Sequence, residues 1–156
     1  MADVTVTSVL VSDTRPEKPG EARTMMRKYL IDPREWEDVA SDLGLGIGYW
    51  CRELTDRELE ALEALHVSRE TYTVAVMAVD PDSGEDDQLL LMSRRDYEAA
   101  LGLVEDVLPG TMVSGYVSSA WANRDQATGF IETSYVDADV ADAVAQIHLF
   151  GEVLYG

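Results

Sequence analysis

The chain is short of several things, and each shortage removes a class of protein. It has one cysteine, Cys51, in 156 residues, which excludes an intramolecular disulfide and any cysteine-rich zinc site. No apolar run approaches the roughly 18 residues a membrane helix needs, so no membrane span is expected. Lysine is nearly missing: Lys18 and Lys28 stand against ten arginines. Basic side chains of both kinds number 12, against 30 Asp and Glu, for a formal charge of −18. Such a surplus disfavours contact with nucleic-acid phosphates or an anionic membrane. It attracts a basic protein surface instead, at a rate that falls with added salt.

What is present is enough for one core. Apolar residues make up 46% of the chain, and the length suits a single domain over residues 1–156. The start, MADVTVTSVLVSD, alternates and carries an early Asp, which predicts a strand at 3–12 and not a signal peptide. A cytoplasmic protein is the expectation, or one acting in a host cytoplasm or virion. After a proline-containing loop, a short helix is expected at 21–30, where Arg23, Arg27 and Lys28 form a positive cluster.

The clearest folding unit runs from Thr71 to Ser119, and the rest reads as pieces added to it. Residues 72–79 and 88–92 predict two strands joined by the acidic turn DPDSGEDD. Both alternating sets of the first strand are mostly apolar, which suits a strand covered on both faces. Ser93 and Asp96 form a capping box opening the longest predicted helix, to 108, where Pro109-Gly110 stops it. Strands are then expected at 111–119 and 128–136, with Trp121 in a polar loop between them.

Elsewhere, Asp32-Pro33 predicts a helix start and Gly44 its end. The glycines of GLGIG suggest a loop or strand passing close to other backbone. Thr55 and Glu58 fit a second capping box, opening a helix to about 66 with Leu59, Leu62 and Leu65 inward. A last helix is expected at 138–149, carrying Val140, Val144 and Ile147 inward. Together these predict an α+β fold, a mostly antiparallel sheet of about five strands with four to five helices packed on it.

No catalytic constellation emerges. The acidic turn fails as an EF-hand, because its fifth, sixth and twelfth positions are Gly84, Glu85 and Leu91. The glycines after residue 43 follow a helix and have the wrong spacing for a dinucleotide fingerprint. His66 and His148 fall at predicted helix ends, where a cation-capable side chain is at home for structural reasons. Cys51, Ser118 and Ser119 have no partner fixed by spacing, and no nucleophile elbow occurs. A protein without enzyme activity, metal or cofactor is expected.

Two functional readings follow. In the first, the chain is a non-catalytic binding module whose carboxylates meet a basic partner, in its narrowest form by imitating nucleic acid. Asp80, Asp82, Glu85, Asp86 and Asp87 of the turn, and Glu58, Glu60 and Glu63 of the helix, are the candidate contacts. Tyr49, Trp50 and Trp121 are added as candidate aromatic anchors; the alternative for these three is that they cover the edge of the core. In size and charge the chain resembles small acidic antirestriction and anti-CRISPR proteins, a resemblance of type that carries no motif. In the second reading the chain is a structural or assembly protein, such as a virion or tail component. Its surplus of acids and shortage of lysine resemble proteins of salt-loving archaea. At molar salt the Debye length is about 3 Å, so dense carboxylates no longer repel one another. Association of copies through the basic cluster at 23–28 is a further expectation.

Overall fold

A computed structural model describes residues 27–65, 73–80 and 82–156. The strand expected at 3–12, most of the helix at 21–30 and His66 lie outside these residues. Among the described residues the chain runs α1 (Trp36–Gly46), β1 (Cys51–Glu53), α2 (Asp56–Ala64), β2 (Val74–Val79) and β3 (Asp86–Met92). It continues through α3 (Arg94–Leu101), α4 (Val104–Val107), α5 (Met112–Ala122), a 3-10 turn at Thr133–Tyr135 and α6 (Ala138–Phe150). The class is α+β, as expected, but the sheet has three strands in the order β1-β2-β3, antiparallel throughout.

The organising element is α6, not the hairpin. From Val140 to Leu149 only Asp142 escapes full burial, and α1, α3, α4 and α5 all pack on this helix. A helix buried nearly all round belongs at the centre of a core. Asp137 caps its start by accepting from Val140 N (2.9 Å), and Gly151 ends it in the left-handed region. Against it lies Gly46 of α1, where an added Cβ would run into the Ala138 carbonyl. The close backbone approach expected of the glycines is therefore found inside a helix. Gly44 does not end α1, which starts at Trp36 after a turn closed by Glu35 N and the Asp32 carbonyl (2.9 Å).

Both capping boxes form, Thr55 with Glu58 and Ser93 with Asp96. The helix begun by Ser93 is broken at Gly102, where Leu103 N reaches back three residues to Ala100 O (3.0 Å). Glycine weakens a helix interior, and here it also admits the Tyr29 ring. Residues 27–30 are not helical: Ile31 N donates to the Glu98 carboxylate (2.7 Å), and Leu30 makes a single parallel bridge to Phe130.

The expected strand at 111–119 is the helix α5. Val113 and Val117 fit alternation, and together with Ala120 they also fit helical spacing. Thr111 decides between them by capping Ser114 N (3.1 Å) directly after the turn at Gly110. The expected strand at 128–136 is not formed either. Asp125 accepts from Ala127 N and Thr128 N (2.7 and 3.1 Å), and Thr128 from Phe130 N (3.2 Å). Local side chains thus take the amides a ladder would need.

The sheet has two unlike faces. Val74 pairs with Met92 and Val76 with Leu90, and these four pack into the core under the helical layer. By the pleat, the next residues point the other way: Met77 stands between Arg52 and Leu89 across the three strands. The expectation of cover on both faces of β2 is met in part: Ala75 and Met77 are half-buried on the outer side, as are Val74 and Val76 on the inner side. On this outer side, among the described residues, only α2 provides cover. Its Leu62 is buried outside the main core cluster, Leu59 is half-buried and Leu65 is 66% exposed, so the expected inward stripe reduces to one residue.

Candidate partner-binding face

The acidic turn is held by its own backbone. Asp80 N donates to Glu85 O (2.9 Å), and Gly84 N to Asp80 O (2.7 Å), with Gly84 at a φ of 73°. The Asp80 carboxylate accepts from Asp82 N (2.9 Å), and the Ser83 hydroxyl from Glu85 N (3.2 Å). This geometry turns Asp82, Glu85, Asp86 and Asp87 out into solvent and leaves Asp80 half-buried. Among the described residues no cation pairs with Asp82, Glu85 or Asp87.

Arg52 ties this turn to α2. Its guanidinium forks onto Glu58 (2.7 and 2.8 Å) and onto Asp86 (2.9 and 2.8 Å). Glu58 also accepts from Thr55 N (2.9 Å) as the return half of the capping box. The Arg52 hydrogen bonds, with Thr55 behind them, hold the Glu58 carboxyl down to about 2. Asp86 is lowered by the same guanidinium, and Arg52 is raised in turn. Planar arginine suits such two-sided bidentate pairing, and lysine does not. Glu60 and Glu63 stand exposed further along α2. The structure thus brings the turn and the first turn of α2 into one acidic end.

The aromatic candidates separate. Trp50 is 1% exposed and is corrected from a surface anchor to a core residue. Its indole N–H donates to Asp142 (2.7 Å), and its ring packs near Phe150 and Tyr155 (centroids 5.8 and 5.7 Å). Tyr49 stays 51% exposed, but its hydroxyl donates to the other Asp142 oxygen (2.6 Å). Burial and that carboxylate push the Tyr49 phenol up. Trp121 is the penultimate residue of α5 and not part of a loop; Arg27 and Arg124 stack on its ring at 4.4 and 3.6 Å. Arg27 is further engaged by Glu105 (3.2 Å).

The residues that sequence reasoning missed are Arg52, Asp142 and Gln146. Gln146 is fully buried: its amide nitrogen donates to Asp142 (2.9 Å) and Tyr155 O (3.1 Å). Its carbonyl accepts from Leu154 N and Tyr155 N (2.7 and 2.8 Å), which fastens the last residues to α6. A glutamine four residues after Asp142 on an otherwise largely apolar last helix was the available signal. Tyr155 in turn has its phenol raised by burial and then by the charges of Asp87, Asp80 and Asp82.

The reactive side chains are structurally employed. His148 is buried, with Nε2 3.0 Å from Leu91 O. Cys51 is half-buried, and desolvation followed by Asp142 pushes its thiol up to about 12, so it is not a thiolate near neutral pH. A polar cleft of about 340 Å³ is lined in part by Asp32, Arg34, Glu35, Asp125 and Glu132. Three of these acids are met internally: Asp32 by Arg34 (2.8 Å), Glu35 by the Thr133 hydroxyl (2.8 Å) and Asp125 by two amides, while, among the described residues, the exposed Glu132 accepts only from Ser134 N at 3.5 Å. Among the described residues no three or more His, Cys, Asp or Glu converge as a metal site, and no helix is long and apolar enough to cross a membrane. No family model matches the chain, and no curated protein or solved structure matches it either.

Proposed function

We propose that the chain is a non-catalytic binding module whose acidic end, formed by the β2–β3 turn and α2, engages a basic protein surface. The observation that carries this reading is the state of Arg52. It is already shared between Glu58 and Asp86, so Asp82, Glu85 and Asp87 project beside them with no cation paired to them among the described residues, and Glu60 and Glu63 stand exposed further along α2. Uncompensated carboxylates on a shared surface steer a cationic partner and speed its encounter. In its narrow form the partner is a DNA-binding protein that ordinarily holds phosphates at the same site. A comparison of two triple variants by pull-down at low salt tests the reading. Neutralising the end (Asp82→Asn, Glu85→Gln, Asp87→Asn) should release basic partners. Neutralising three acids elsewhere (Glu37→Gln, Asp38→Asn, Asp139→Asn) should not. Equal release by both sets would count against a localised site.

A second reading, adaptation to high salt, is favoured by a separate observation: exposed acids also stand on α1 (Glu37, Asp38), on the first turn of α6 (Asp139) and at Glu132 and Glu152. Under it the melting temperature should climb steadily up to molar KCl. Under the binding reading the protein is already stable in dilute buffer.

A further inference from the structure

Beside the acidic end, the outer face of the sheet carries an apolar groove. Its walls are Leu54, Ala61, Leu62 and Leu65 on the α2 side and Met77 and Leu89 on the strands, and Glu58 is the one charged side chain among them. The groove holds about 180 Å³. That compares with the engineered apolar cavity of about 150 Å³ that takes up benzene, so one large apolar side chain fits. Its origin is geometric. The pleat sends Met77 and Leu89 outward as a cross-strand pair, and α2 buries only Leu62 over them. The surroundings are mostly of one sign, with Arg57 of α2 as an exposed exception. Glu53, Asp56, Glu60, Glu63 and Asp87 are all exposed around these elements, and Arg52 is occupied by Glu58 and Asp86.

Apolar walls inside a carboxylate rim complement a particular ligand. We infer that the groove is the docking point for a basic, amphipathic segment of a protein partner, which seats one leucine-sized side chain between α2 and β2–β3 and meets the rim with flanking arginines or lysines. This rests on the proposed binding function and adds to it a place and a partner chemistry. Charge complementarity disfavours a second copy docked through the same face, because an identical rim of carboxylates would then face the first. An apolar anchor in a water-excluding pocket surrounded by polar contacts is how peptide grooves concentrate affinity.

The test uses two synthetic helical peptides of equal positive charge, one carrying leucines along one face and the other glutamines in their place. Affinities are read by fluorescence anisotropy against the full chain and against Leu65→Asn and Met77→Gln. Leu65 is 66% exposed, so its substitution leaves the fold intact, as circular dichroism will verify. The leucine peptide should bind the unaltered chain about tenfold or more tightly than the glutamine peptide, in line with burial of one leucine. Either variant should erase that preference while still binding both peptides through charge. Equal binding of the two peptides to the unaltered chain overturns the groove and leaves the acidic-end reading standing. Failure of both peptides to bind overturns both. A dimer seen by sedimentation and dissociated by Leu65→Asn would assign the groove to a second copy and overturn the inference.

Discussion

On the inner face of the sheet, Ala78, Leu90 and Met92 disappear beneath the helical layer with Val74 and Val76 half-buried against them, whereas on the outer face Met77 and Leu89 are both half-buried beside one short helix among the described residues. The same contrast runs through the polar groups. On α6, Gln146 and Asp142 find their partners within the chain, in Trp50, Tyr49 and the backbone of 154–155. Around α2 and the β2–β3 turn, the acids engaged so among the described residues are Glu58, Asp86 and Asp80, and their acidic neighbours project into solvent. Burying an unmet polar group is costly, so a core closes most of its networks, and the buried Tyr97 hydroxyl is an exception, with no hydrogen-bond partner among the described residues. A surface carries no such requirement, and groups left open there are available to something else.

The contrast can be broken at several points. Ile147→Ala, which empties a 2%-exposed site on α6, should destabilise the fold by about 2–5 kcal/mol in urea denaturation. A loss under about 1 kcal/mol would mean that α6 is not the centre of the core. Gly46→Ala should cost about 1–3 kcal/mol, because the new Cβ forces α1 away from the Ala138 backbone. A neutral outcome would show that the two helices can separate freely.

The Arg52 cluster gives a smaller, pH-dependent effect. The folded-state carboxyl of Glu58 lies below its ordinary value of 4.5, held to about 2. A lowered acid contributes stability in full above its unfolded value and loses it as pH falls through the folded value. The stability difference between the unaltered chain and Glu58→Gln should therefore be constant near neutral pH. It should shrink as pH drops from 4.5 towards about 2. A difference independent of pH across that window would show that the Arg52 fork adds nothing in solution. Least of all, Leu65→Asn should change stability by no more than about 0.5 kcal/mol, since its side chain is already in water. A large loss would make the outer groove part of the core.

The elements with strong local signals were legible from sequence. The hairpin followed from alternation and the Pro81-to-Gly84 turn chemistry, α2 and α3 from their capping boxes, and α6 from the spacing of Val140, Val144 and Ile147. The errors arose where two periods fit the same residues. In α5, alternation through Val113, Gly115 and Val117 competes with helical spacing, and the cap at Thr111 tips the balance. The candidate face was half legible. Acids in a turn can be placed outside from sequence, but the meeting of Glu58 with Asp86 depends on Arg52, a residue with no local signature. Trp50 was misjudged because its partner, Asp142, lies 92 positions away. No window of sequence contains both.

The most direct measurement is a titration of the isotopically labelled chain with the leucine-bearing basic peptide, following every backbone amide by NMR. Shift changes confined to residues 82–87, β1, α2 and the strand positions around Met77 and Leu89, and weakening as salt is added, are the predicted result. Changes spread evenly over α1, α6 and the other acidic surfaces would contradict it, and would mean that the carboxylates act as a diffuse coat with no defined site.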